Sequence, residues 1–186
     1  MTVEIEQFMC RSDNFGVLVR DPASGVTAIV DAPEERPILE AVERTGWRPT
    51  LLLITHHHPD HVEANLALKQ RFGLTIVGPK AEAAKIPGID ETVAEGDTLA
   101  IGGEEVRVIE TPGHTAGHVS FHLPASGVAF TADTLFALGC GRILEGTPAI
   151  MHASLKKLAA LPRETVVYCG HEYTLSNARF ALSVDP

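Results

Sequence analysis

Leu51-Leu52-Leu53-Ile54-Thr55-His56-His57-His58-Pro59-Asp60-His61 carries an unbroken apolar run straight into a cluster of imidazoles and a carboxylate. A short apolar run with no polar alternation reads as a strand buried on both faces. In an extended segment successive side chains alternate faces, so His56 and His58 point one way and His57 the other. Pro59 turns the chain, and Asp60 and His61 then reach a second position beside the first. A buried strand that ends in HxHxDH is half of a two-metal site, which places that site at a sheet edge.

Working outward, Val62–Phe72 has apolar residues at 62, 66, 68 and 72 and ends at Gly73, predicting a helix that leaves the cluster. Leu74–Val77 reads as the next strand, stopped by Gly78-Pro79. Upstream, Val3–Phe8 alternates as a strand, and Phe15–Val19 and Val26–Val30 flank the turn Asp21–Gly25 as a hairpin. Ile38–Thr45 reads as a helix between Pro37 and Gly46. Downstream, Gly88–Ala100 is irregular with a turn at Glu95-Gly96-Asp97. Val106–Ile109, Val119–Leu123 and Val128–Thr131 are short strands, Met151–Leu161 is a helix closed by Pro162, and Val166–Cys169 is a last buried strand. Two β-rich halves, each followed by helices, predict an α/β sandwich built as a pseudo-repeat.

Further donors recur just past strands. His114 follows Val106–Ile109 through Thr111-Pro112-Gly113, Asp133 follows Phe130-Thr131-Ala132, and His171 follows Val166–Cys169 through Gly170. Strand ends are rigid mounts for binding groups. His56, His58 and His114 make a three-imidazole site, Asp60, His61 and His171 a second, and Asp133 bridges them. Imidazole and carboxylate without thiolate suit zinc, iron or manganese. Two divalent ions roughly 3.5–4 Å apart share a water, lower its pKa towards ~7 and polarise a carbonyl, which is a hydrolase centre. His118 is expected to hydrogen-bond a ligand from behind, His57 to orient its neighbours, and His122 and His152 to be structural or exposed.

The chain has 186 residues and a net charge of −9, the size of one domain. Its acidity argues against nucleic acid or an anionic membrane as partner. No apolar run approaches the ~20 residues that span a bilayer, and the N-terminus lacks a basic leader segment, so a cytoplasmic setting is expected. Cys10, Cys140 and Cys169 fit neither a disulfide framework nor a CxxC zinc site, and are expected to be reduced and mostly buried.

The motifs resemble the metallo-β-lactamase superfamily and, more narrowly, the glyoxalase II (hydroxyacylglutathione hydrolase) family. Carrying the resemblance are Ser12-Asp13-Asn14-Phe15, Val30-Asp31-Ala32-Pro33-Glu34, THHHPDH at 55–61, Thr111–His118 and Phe130–Phe136. The narrow family shows in Gly139-Cys140-Gly141-Arg142-Ile143-Leu144-Glu145-Gly146 and Gly170-His171-Glu172-Tyr173-Thr174. It implies an αββα sandwich of two mixed sheets flanked by helices, two divalent ions, zinc foremost, on the seven ligands above, and hydrolysis of S-D-lactoylglutathione to D-lactate and glutathione. Asp60 and Asp133 are then catalytic with the metal-activated water, and Arg142 and Tyr173 contact the glutathione portion. Ala132 replaces the usual glycine before the bridging aspartate, and Leu144 an aromatic residue. Residues 1–174 form the catalytic domain. Residues 175–186, with Leu175–Leu182 opening a helix, would begin the helical C-terminal domain in which such chains normally continue. The competing readings are another thioesterase of the same fold, a persulfide dioxygenase, in which Cys typically stands at the His118 position, and a truncated metal-binding module with little turnover. The oligomeric state is not legible.

Overall fold

The computed structural model describes residues 2–185. Strands β1 (Glu4–Cys10), β2 (Asn14–Arg20) and β3 (Thr27–Val30) form an antiparallel meander. Parallel strands β4 (Pro49–Leu53), β5 (Thr75–Pro79) and β6 (Glu91–Val93) extend it to a six-stranded sheet in chain order. Helices α1 (Glu35–Thr45), α2 (Pro59–Val62) and α3 (Asn65–Phe72) make the crossovers that parallel neighbours require. The second sheet runs β13-β10-β9-β8-β7, from β7 (Thr98–Ile101), β8 (Glu104–Glu110), β9 (Val119–Leu123), β10 (Val128–Ala132) and β13 (Val166–Cys169). A small ribbon, β11 (Leu135–Phe136) and β12 (Gly139–Cys140), and helices α4 (Pro148–Ala159) and α5 (Thr174–Val184) complete the chain.

The apolar run Leu51–Ile54 explains the layers. Leu53 faces the inter-sheet core with Val17, Val30, Val108, Phe121 and Phe130. Leu52 and Ile54 face the other way, into a second core beneath α1 and α3 with Ile38, Ala41 and Leu68. A strand that feeds two cores has no polar face to show, hence no alternation. This is the expected α/β sandwich of two mixed sheets flanked by helices.

Several local expectations give way. The helix expected over Val62–Phe72 is two helices, because the backbone between them has other partners: Ala32 N–H donates to the His61 carbonyl (2.7 Å) and Ala64 N–H to the Ala32 carbonyl (3.0 Å). Pro59 does turn the chain, as first residue of α2, where its missing N–H costs nothing. Pro79 belongs to β5 rather than ending it, paired with Val93. The irregular stretch 88–100 holds β6 and the start of β7, too short and too polar at the sheet edge to show a period. Val166–Cys169 is not buried: it is an edge strand with Val166 55% and Val167 42% exposed. Cys10 is buried, but Cys140 is exposed and Cys169 partly so, all three as free thiols. Among the described residues no helix is long and apolar enough to cross a membrane.

Candidate metal centre

All seven expected ligands meet at one edge of the sandwich. β4 delivers His56 and His58, α2 delivers Asp60 and His61, and the β8–β9 loop delivers His114. Asp133 follows β10 and His171 follows β13. Two donor groups form, His56/His58/His114 and Asp60/His61/His171, each with its donor atoms within 4.8 Å of one another. Asp133 lies between them: its Oδ2 is 3.3 Å from both His114 Nε2 and His171 Nε2, and its Oδ1 is 3.5 Å from His61 Nε2. Asp60 Oδ2 stands 3.5 Å from His171 Nε2 and 3.7 Å from His61 Nε2.

The donor set fits metal ions on its own evidence. His58 Nδ1 faces His56 Nε2 at 3.2 Å and His114 Nε2 at 2.9 Å, a convergence of imidazole nitrogens that a cation between them satisfies. His61 Nε2 and Asp133 Oδ1 are buried and lack any hydrogen-bond partner, and both belong to the cluster. Buried polar atoms are normally satisfied, so orphans facing a donor cluster mark a missing ligand.

Four of the five ligand rings, all but His58, are fixed from behind, as metal-binding imidazoles commonly are. Asp31 takes His61 Nδ1–H at 2.9 Å and also receives the Thr55 N–H and hydroxyl, each at 2.8 Å. Asp13 holds His171 Nδ1 at 2.8 Å, the Arg142 carbonyl holds His114 Nδ1 at 2.9 Å, and Thr55 Oγ1 lies 3.0 Å from His56 Nδ1. Asn14 Nδ2 donates to the Asp60 carboxylate and carbonyl, both at 3.1 Å. His118 is fully buried behind the site, its Nε2 accepting the Asp133 N–H (3.3 Å) and its Nδ1 near the Thr111 and Thr134 hydroxyls. His57 points away, as the strand alternation requires. Sequence reasoning gave no role to Asp13, Asn14 or Asp31. Their signal was a polar residue just beside a strand, inside motif blocks already noted.

Electrostatics divide the cluster. Burial, then the other imidazoles, push His56 well below the ordinary histidine value and His58 below it, and burial takes His118 down to about 3. Burial also opposes charge on His61, yet Asp31, Asp133 and Asp60 outweigh it and lift that imidazole to about 9. His171 is raised against burial by Asp133 and Asp13. The Asp133 carboxyl, which burial alone would raise, is held well below the usual carboxylate range by His171, His61 and His114.

The site opens into a cleft of about 600 Å³, whose wall includes Arg142, Leu144 and Tyr173. Tyr173 stacks on His171 with ring centroids 5.0 Å apart, while Arg142 is exposed. Ser176 and Asn177 bring α5 into the wall; Asn177 belongs to the motif block that follows Thr174, which by itself gave it no role. Ala132 occupies a left-handed backbone position, φ 40°, where the usual glycine fits without strain. Gly170 is required as such, since a Cβ there would collide with Asp133 Oδ1. Of the remaining histidines, His122 is buried and His152 exposed.

This fold and this site define a class: residues 12–171 match the family model of the metallo-beta-lactamase superfamily, and the chain belongs to it. Within that class it belongs to the hydroxyacylglutathione hydrolase family. The proteins of that name from Mesorhizobium japonicum and Chelativorans sp. are 75% and 73% identical to it over 186 residues, all of this chain and 73% of each relative. The one from Rhizobium meliloti is 62% identical over 99% of this chain and 72% of its own length. Among solved structures, ETHE1 from Myxococcus xanthus superposes with a TM-score of 0.82 at 31% identity, over 91% of this chain and 76% of that one. TTHA1623 in a di-iron-bound form superposes with 0.78 at 27% identity, over 91% and 92%. The superfamily and the His/Asp clusters together imply divalent metal ions.

Proposed function

We propose that this chain hydrolyses glutathione thioesters, with S-D-lactoylglutathione as substrate and D-lactate and glutathione as products, at a two-zinc centre. The observation that carries the reading is the pair of donor groups joined by Asp133, in a chain 75% identical to a hydroxyacylglutathione hydrolase. His56, His58 and His114 would hold one ion, Asp60, His61 and His171 the other, and Asp133 both. The all-imidazole half favours zinc or iron over manganese. When bound, the ions supply a water acidified to near-neutral pKa and polarisation of the thioester carbonyl.

The chain's own groups do the rest. Asp60 and Asp133 stay ionised at neutral pH and orient the attacking water through its protons. For Asp60 burial works against this, and His61 and the Asn14 hydrogen bond prevail. Burial, then Asp13, Asp133 and Asp60, push the Tyr173 phenol up, so it remains an O–H donor at the cleft wall. Arg142 offers the guanidinium that a glutathione carboxylate pairs with. Attack on the thioester carbonyl forms the new C–O bond, the water's proton passes to solvent, and collapse of the tetrahedral adduct breaks C–S; sulfur departs as thiolate, which at a thiol pKa near ~8.5 needs no proton to leave. Residues 1–174 are the catalytic unit in this proposal. Three free thiols favour the reducing cytoplasm as its setting.

Metal analysis coupled to a thioester panel tests it, comparing the parent with His58→Ala. The parent is expected to carry two ions and cleave lactoylglutathione, and the variant to lose metal and rate together. Two bound ions with lactoylglutathione and simpler thioesters all left intact would overturn the assignment. Oxygen consumption would redirect it to a dioxygenase.

A further inference from the structure

His57 is the imidazole of the cluster that the metal reading leaves unused. Its backbone N–H donates to Oε2 of Glu82 at 2.7 Å, and its Nδ1 meets the same oxygen at 2.7 Å. The other oxygen, Oε1, accepts the Gly117 N–H at 2.9 Å. Glu82 is 3% exposed and sits on a 3₁₀ turn, Lys80–Lys85, that follows β5. The turn presses so closely on the His114 loop that a Cβ at Gly117 would come within 2.7 Å of Ala81 Cβ and Glu82 Cγ. One buried carboxylate therefore pins the peptide between His56 and His58 to the loop three residues past His114. A backbone bond, Val119 N–H to the Thr55 carbonyl at 2.9 Å, joins the same two segments at their base.

His57, Glu82 and Glu145 could themselves be taken for a metal site. Lys85 already supplies the positive charge there, its Nζ 3.5 Å from His57 Nε2 and 3.4 Å from Glu145 Oε1. The cluster is a strut.

We propose that Glu82 is a positioning residue that sets the spacing of His56, His58 and His114, and so tunes the affinity of one ion of the pair without touching the other. This rests on the two-ion reading above. All three ligands whose backbone it ties lie in one donor group. Asp60, His61 and His171 are braced instead by Asn14, Asp31 and Asp13. A carboxylate accepts with both oxygens, whereas an amide has one acceptor and turns its NH₂ against the second N–H. Glu82→Gln thus releases one loop at nearly constant volume.

The test is a zinc titration of the full chain against a competing chromophoric chelator, with kcat and KM for lactoylglutathione measured alongside. In Glu82→Gln one zinc dissociation constant is expected to rise about 10- to 100-fold, the usual effect of losing a group that orients a ligand. The other constant should hold, and kcat should fall more than KM rises. Two unchanged constants, or two raised alike as general loosening would give, overturn the proposal. Should Glu82→Gln not fold, Glu82→Asp keeps the charge but falls one methylene short of spanning both loops. It should show the same one-sided shift at smaller size, and a symmetrical shift there is equally fatal. A parent protein that takes up fewer than two zinc ions defeats the two-ion reading itself, and is visible before any variant is made.

Discussion

His56, His58 and His114 meet nitrogen to nitrogen, whereas Asp60, His61 and His171 are interleaved with carboxylates, Asp31 behind one ring and Asp13 behind the other. Burial and mutual repulsion keep His56 and His58 neutral. The carboxylates hold His61 protonated up to about 9 and raise His171 as well. His56 and His58 can thus accept a cation at neutral pH without losing a proton, whereas the second half must first release one from His61. Metal uptake is proton-linked wherever ligands must deprotonate, so the two halves differ in kind although one eleven-residue stretch feeds both.

Asp133 is the group whose loss erases the distinction, since it touches both halves. Asp133→Asn is expected to lower the rate on the order of 10³-fold, the several kcal/mol that a well-placed Lewis acid supplies, and to lower total metal content on elemental analysis. Equal activity with two ions retained would remove the bridge from the centre. Asp31→Asn acts first on the second half, where Asp31 holds His61 directly, and reaches His56 only through Thr55. Zinc affinity at the second half should fall about 10- to 100-fold and that at the first by clearly less. A chelator-competition titration reads both constants, and a shift of the wrong one would invert the comparison.

Much of this was legible because the ligands sit at strand ends, where a period-2 pattern also fixes direction. The alternation of His56, His57 and His58 could be read from sequence and holds in the structure. What resisted reading was whatever depends on two segments meeting. Asp31 reaches His61 across 30 positions and Asp13 reaches His171 across 158, and no local spacing encodes such pairs. Glu82 looks like any surface acid on a short polar segment until the fold buries it. The break between α2 and α3 is likewise invisible locally, because Ala32, just past the neighbouring strand β3, supplies the competing hydrogen bonds.

A smaller effect separates the halves in the metal-free protein by pH. His118 has its folded value depressed to about 3 by burial, against an ordinary 6.5. Below 6.5 the unfolded chain binds a proton that the folded chain refuses, so the stability this group contributes is complete above 6.5 and lost as pH falls towards 3. The slope is about 1.4 kcal/mol per pH unit for each such histidine. His61 has the opposite sign: its contribution is complete below 6.5 and lost as pH rises towards about 9. Urea unfolding of chelator-treated protein from pH 5 to 8, parent against His118→Gln, should show a shallower acid-side slope in the variant. Identical slopes would mean that His118 is not the neutral, buried imidazole its surroundings make it.

The smallest change lies at the rim. The Arg142 carbonyl braces His114, but its guanidinium is exposed, and removing the side chain leaves the brace in place. Arg142→Ala should therefore spare both zinc constants and kcat while raising KM for lactoylglutathione roughly 2- to 5-fold, the size of one solvent-exposed ion pair. The rise should shrink in high salt, because exposed charges are screened within about 10 Å at 0.1 M. A fall in kcat with KM unmoved would mean that the side chain acts on the centre through its backbone, drawing Arg142 into the imidazole half rather than the substrate wall.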